Sequence, residues 1–127
     1  MSFEKSKTEY INFKLGNSLY ALPIDGIEDI TPLVKLSKIP LETAEIAGIF
    51  LKDEQVTVAL DLAKLYGQNT FAGSEKVMII AQWQRGQYGL VVDSILEIGA
   101  LNPESRLINL ADVFRKVEFN FEYDKSY

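Results

Sequence analysis

Tyr20-Ala21-Leu22-Pro23-Ile24-Asp25 and Tyr88-Gly89-Leu90-Val91-Val92-Asp93 are two versions of one stretch, 68 residues apart. The offset holds on either side without a gap. Ile11 aligns with Ile79, Leu22 with Leu90, Ile24 with Val92, Ile27 with Ile95 and Ile30 with Ile98. The turn Gly16-Asn17-Ser18 falls opposite Gln84-Arg85-Gly86. A gapless set of apolar matches together with one matched aspartate, Asp25 against Asp93, reads as an internal repeat.

A second block repeats at a shorter offset. Ala59-Leu60-Asp61-Leu62-Ala63-Lys64-Leu65-Tyr66 resembles Leu107-Ile108-Asn109-Leu110-Ala111-Asp112-Val113-Phe114, 48 residues on. In both, an Asp or Asn able to cap a helix follows an apolar strand. The second copy is therefore twenty residues shorter, and the loss falls between Ile98 and Leu107. It corresponds to the segment Ile46–Val58 and its approach.

Most apolar residues lie at strand spacing. Thr8–Asp25 reads as a hairpin around Gly16-Asn17-Ser18, with Pro23 marking an edge or bulge. Ile46–Leu51 and Gln55–Leu60 read as a second hairpin around Lys52-Asp53-Glu54. Val34–Ala44 reads as an irregular crossing with one helical turn, and Leu62–Tyr66 as a short helix stopped by Gly67. Gln68–Ser74 is the linker-like segment. The expectation is an all-β single domain spanning 1–127, with one lobe over 8–67, an abbreviated lobe over 75–123, and short helices after the strands. The tail Val117-Glu-Phe-Asn-Phe-Glu-Tyr123 alternates and reads as a strand that closes the shortened lobe, or offers an edge for self-association.

Composition bounds the function. The 127 residues are 47% apolar and 24% charged, ordinary for a globular chain. A net charge of −5 argues against nucleic acid or anionic membrane as partner. No apolar run reaches membrane-spanning length, and the first residues lack the apolar stretch of a signal peptide, so a cytoplasmic location is expected. With no histidine and no cysteine, imidazole or thiolate catalysis and metal ligation are excluded, and no cofactor is expected. Asp25 with Asp29, or Asp93 with Glu97, are carboxylate pairs that acid–base chemistry could use. They read instead as solvated strand-end residues, so no enzyme is expected. Trp83 aligns with Leu15 and reads as core. Lys35, Lys38 and Lys52 are too few to form a basic patch.

Tyr20–Ile30, Ile39-Pro40, Ile46–Ile49, Val56–Leu62, Tyr88–Asp93 with Ile95, and Leu107–Leu110 together resemble the CheW family of chemotaxis coupling proteins. The resemblance covers roughly residues 8 to 114 and implies two intertwined SH3-like barrels related by a pseudo-twofold axis. It also implies a non-catalytic adaptor that bridges the regulatory domain of a CheA-type histidine kinase to the cytoplasmic tip of chemoreceptors, the receptor hairpin lying in a groove between barrels. The partner-binding positions it points to are Ile27, Asp29, Gly48, Leu51, Lys52, Asp53 and Glu54.

Two departures stand out. Where the family pattern has Asn-Leu-Arg-Gly, this chain has Leu51-Lys52-Asp53-Glu54, so an arginine fork is replaced by an acceptor of opposite charge. Glu54 in the glycine position implies a different turn, without positive φ. The second is the loss of twenty residues, which goes with a strand-like tail where the family ends in a helix.

Overall fold

The computed structural model describes residues 8–38, 45–69 and 75–125, with side chains described through Val117. Residues 39–44 of the crossing expected over Val34–Ala44, with its one helical turn, lie outside the described residues, as does most of the linker. Nine strands and two helices follow in order: β1 (Tyr10–Leu15), β2 (Ser18–Pro23), β3 (Ile27–Pro32), β4 (Ile46–Lys52), β5 (Gln55–Asp61), α1 (Leu62–Leu65), β6 (Val77–Trp83), β7 (Gly86–Val92), β8 (Ser94–Gly99), β9 (Arg106–Leu107) and α2 (Leu110–Lys125). The chain is mainly β, in two sheets ordered β8-β1-β2-β9 and β3-β6-β7-β5-β4.

Each sheet draws strands from both halves of the chain. The lobes are therefore not the successive segments 8–67 and 75–123. The hairpin β1–β2 is joined by β8 and β9 from the second copy, while β6–β7 is joined by β3, β5 and β4 from the first. The exchange obeys the repeat residue by residue. Ile27 pairs with Ala81, Asp29 with Ile80 and Ile30 with Ile79. At the same 68-residue offset, Ile95 pairs with Phe13, Glu97 with Asn12 and Ile98 with Ile11. The bulge recurs too, skipping Glu28 in one copy and Leu96 in the other. The parallel pairs Val58–Tyr88 and Ala59–Gly89 return as Arg106–Tyr20 and Leu107–Ala21.

The main core lies where the two sheets meet. Ile11, Phe13, Tyr20 and Leu22 pack there against Leu60, Ile79, Leu90 and Val92, all almost wholly buried. Each such side chain contributes roughly 1.5–3 kcal/mol of apolar transfer. Trp83 is half-buried against this core and stacks on Phe114, ring centroids 5.2 Å apart. A second, smaller core of Ala59, Met78, Ile80 and Val91, with Leu36, Ala47 and Phe50 against it, fills the complete lobe.

The shortened lobe solves the same problem with polar chemistry. Ile80 of the small core corresponds to Asn12 at the 68-residue offset, and Asn12 is fully buried. Its amide nitrogen donates to the Ala100 and Glu97 carbonyls at 3.0 and 3.4 Å. Its oxygen accepts from the Asn102 N–H at 3.0 Å and the Ser105 hydroxyl at 3.3 Å. All four hydrogen-bonding positions of the amide are thereby used. The segment 100–105, which stands where the missing hairpin would be, is thus pegged onto the sheet by one side chain.

The tail is a helix, not the expected strand. Asn109 and Asp112 cap each other: the Asp112 N–H donates to Asn109 Oδ1 at 2.8 Å and the Asn109 N–H to Asp112 Oδ2 at 3.2 Å. This reciprocal box starts α2 seven residues before the alternating stretch. Leu110, Val113, Phe114 and Val117 then form a stripe at helical spacing that packs on the main core. Helix propagation from a fixed start overrides a two-residue pattern read locally. The tail neither closes the shortened lobe as a strand nor offers a strand edge.

Replacing Asn12 by leucine keeps the branched side-chain shape and strands the four groups it serves. We expect Asn12→Leu to lower the unfolding free energy by about 3 kcal/mol. Urea denaturation checks this, and a change within about 1 kcal/mol would show that the peg is dispensable.

Candidate functional site

β3 and β4 are the opposite edges of the five-stranded sheet, yet they meet. Lys52 Nζ of β4 lies 3.3 Å from Asp29 Oδ2 of β3 and 3.6 Å from Asp53 Oδ2. The sheet is therefore rolled until its two edges are joined by an ion pair. The Asp29 carboxyl is held below the usual carboxylate value, first by the Ile30 N–H donating to it at 2.8 Å and next by Lys52. The Lys52 ammonium is correspondingly raised, chiefly by Asp29.

The β4–β5 hairpin turns on two residues, Asp53 and Glu54, because Lys52 pairs directly with Gln55. Their φ values are 53° and 64°. Positive φ at both central residues defines a type I′ turn, whose twist suits a two-residue hairpin. The expectation that Glu54 would impose another turn is therefore corrected: the turn is kept and the side chain bears the strain. Asparagine and aspartate tolerate this region better than glutamate. Just behind the turn, Leu51 faces Val56 across the strands, and their exposures are 71% and 60%. The tip thus carries one apolar pair and two carboxylates.

Gly48 stands at the root of this hairpin with φ 153°, and a Cβ there would come within 2.7 Å of the Ser37 carbonyl oxygen. That close approach lets Ser37 and Ile49 exchange backbone hydrogen bonds at 2.9 Å, which covers part of the β4 edge. Of the positions expected to bind partners, the fold brings Asp29, Leu51, Lys52, Asp53 and Glu54 to one end. Gly48 is buried as a hinge of close packing, and Ile27 is half-buried against the main core.

A groove with a cavity volume near 760 Å³ opens elsewhere, lined by Ile30, Pro32, Leu33, Val77 and Ile95 with Glu75 and Lys76 at its polar side. It joins β3 of one copy to β8 of the other, so it exists only because the strands exchange. Lys76 pairs with the buried Asp93 at 2.8 Å, and the Gly16 N–H also donates to Asp93. One carboxylate that acid–base chemistry might have used is thus committed to structure, and Asp29 is committed to Lys52. The family resemblance implied a groove between barrels, but sequence reasoning named none of these walls, because they come from segments far apart in the chain. It missed Val56 as well, because the turn was read one residue too long.

Interleaved half-barrels with an apolar groove and an exposed tip have the form of a protein-docking module. Residues 9–112 match the family model described as CheW-like domain, and the chain belongs to that family. Its members are non-catalytic scaffold and adaptor proteins. Among curated proteins, the chain is 22% identical over 109 residues to a chemotaxis protein CheW of Treponema pallidum (strain Nichols), covering 82% of this chain and 64% of that protein. Among solved structures, it superposes with a TM-score of 0.71 on the scaffolding protein TtCheW from Thermoanaerobacter tengcongensis, at 25% identity, covering 79% of this chain and 66% of the other. The chain therefore spans just under two-thirds of the length of each. No helix among the described residues is long and apolar enough to cross a membrane.

Two outcomes test this geometry. Glu54→Gly relieves a left-handed glutamate and should raise stability by about 1 kcal/mol in urea denaturation, whereas a loss would contradict the I′ turn. The Asp29 carboxyl should titrate below its ordinary 3.8 in a carbon-detected NMR titration. Because a lowered carboxylate stabilises above its ordinary value, the Asp29–Lys52 tie should persist through neutral pH and fade as pH falls below 3.8. Lys52→Ala should return only part of the shift, since the Ile30 N–H is the larger cause.

Proposed function

We propose that the chain is a cytoplasmic adaptor in a chemotaxis-type signalling system, docking without chemistry onto a CheA-type kinase regulatory domain and onto chemoreceptor tips. The observation that carries this reading is the β4–β5 tip. Leu51 and Val56 are exposed just behind a two-residue turn whose base is anchored by Lys52 to Asp29. A preorganised apolar pair ringed by charge is the form of an interface hot spot. The kinase domain is the occupant of this tip. The groove between β3 and β8 suits an apolar helix face, and the receptor hairpin is its occupant.

Two features set this adaptor's contacts apart. Asp53 stands where the family pattern has arginine, so a partner surface evolved for a cation is disfavoured and one presenting Lys or Arg is preferred. The second copy lacks the hairpin, so this chain offers one such tip where a full repeat would offer two. The adaptor is thereby limited to one contact of that kind.

Calorimetry with the kinase regulatory domain and with a receptor-tip fragment checks the assignment. Leu51→Asp should weaken kinase binding by about 2 kcal/mol, roughly thirtyfold, and leave receptor binding unchanged. Leu33→Asp, on the groove wall, should do the reverse. Binding of neither partner by the wild-type chain would overturn the reading.

A further inference from the structure

The two sheets end differently. In the complete lobe β4 covers the outer edge of β5, Gly48 pairing with Ala59 and Ile49 with Val58. β9 is the counterpart of β5, and no strand among the described residues lies on its outer edge. The Ile108 N–H turns inward to the Ala21 carbonyl at 2.9 Å. In an extended strand the preceding residue faces the other way, so the Leu107 N–H and C=O point outward. The Leu107 side chain is half-exposed, whereas its counterpart Ala59 is fully buried. Beside this edge two exposed cations gather over the Tyr66 ring, Arg106 at 5.6 Å and Lys116 at 5.0 Å from its centroid.

The complementary surface is on the same molecule. Among the described residues, the β4 edge is capped by Ser37 at Ile49 and by nothing beyond it. Leu51, two residues further, turns its backbone to the same side beyond that cap and carries an exposed side chain. Asp53 and Glu54 follow at the turn, both exposed. We propose that the outer edge of β9 receives the β4–β5 hairpin end of a second copy, Leu51 and Val56 covering Leu107, with the acidic turn facing Arg106 and Lys116. The chain's own architecture supplies the precedent, because this same β4 strand covers the equivalent edge of β5 within the complete lobe. Opposite charges oppose each other in this arrangement, in a chain whose overall charge of −5 would otherwise keep copies apart. Donor and acceptor are different surfaces, so copies join head to tail rather than about a twofold axis. The inference does not rest on the kinase assignment, although a kinase domain bound at the tip would compete with it.

Sedimentation equilibrium of the full chain tests this. The wild type should rise above the 14.3 kDa monomer mass across a hundredfold range of concentration, and less so at high salt. Leu107→Asp removes the acceptor and Leu51→Asp the donor, so each alone should stay monomeric. An equimolar mixture of the two retains one intact contact and should reach twice the monomer mass, no more. If Leu107→Asp unfolds, Arg106→Glu replaces it, with an expected loss of at least tenfold in association. A wild type monomeric throughout would overturn the proposal. So would a mixture that stays monomeric, which would point to edge-to-edge pairing or to a strand from another protein.

Discussion

Everything in this fold depends on β3 and β8 leaving the hairpins they follow and pairing with the first strand of the other copy. Those two ladders, β3 on β6 and β8 on β1, tie residues from opposite halves of the chain into each sheet. The main core then forms between sheets that neither half could build alone. The groove between β3 and β8 is a product of the same exchange, with Ile30 and Ile95 brought to one surface from repeat-equivalent strands. The groove is thus placed by topology, not by a local motif.

Loss of one hairpin from a two-copy design poses a definite problem. The complete lobe closes on itself with apolar side chains and an ion pair, Lys52 to Asp29. The shortened lobe has too little chain for a second apolar core. Asn12 answers by turning a core position into a four-bonded polar peg for the segment 100–105. A buried amide is tolerable only when fully satisfied, and this one is. Among the described residues, what remains is an asymmetric module with a protruding tip in one lobe and an uncovered β9 edge in the other.

The repeat made much of this readable from sequence. Apolar matches at a fixed offset carry register, and the ladders follow that register down to the position of the bulge. The place of the lost hairpin was legible for the same reason. The exchange itself cannot be read from such a pattern, because β3 and β8 present equivalent faces to either hairpin. Asn12 was hidden because a polar residue in an alternating strand reads as solvent-facing, and only the loop laid over it makes it buried. The tail misled because Val117, Phe119, Phe121 and Tyr123 alternate locally, whereas Asn109 and Asp112 set a helix in motion upstream. At the tip, Leu51 and the charged turn were found as candidates, while Val56 waited on the true turn length.

Native-state hydrogen exchange tests the interlocked account most directly. If each sheet holds strands from both halves, neither sheet can open while the other stays closed. The slowest amides of Ile11 in one sheet and Ile79 in the other should then share one opening free energy, equal to that of global unfolding. A gap of more than about 2 kcal/mol between them, with one sheet opening below the global limit, would contradict it.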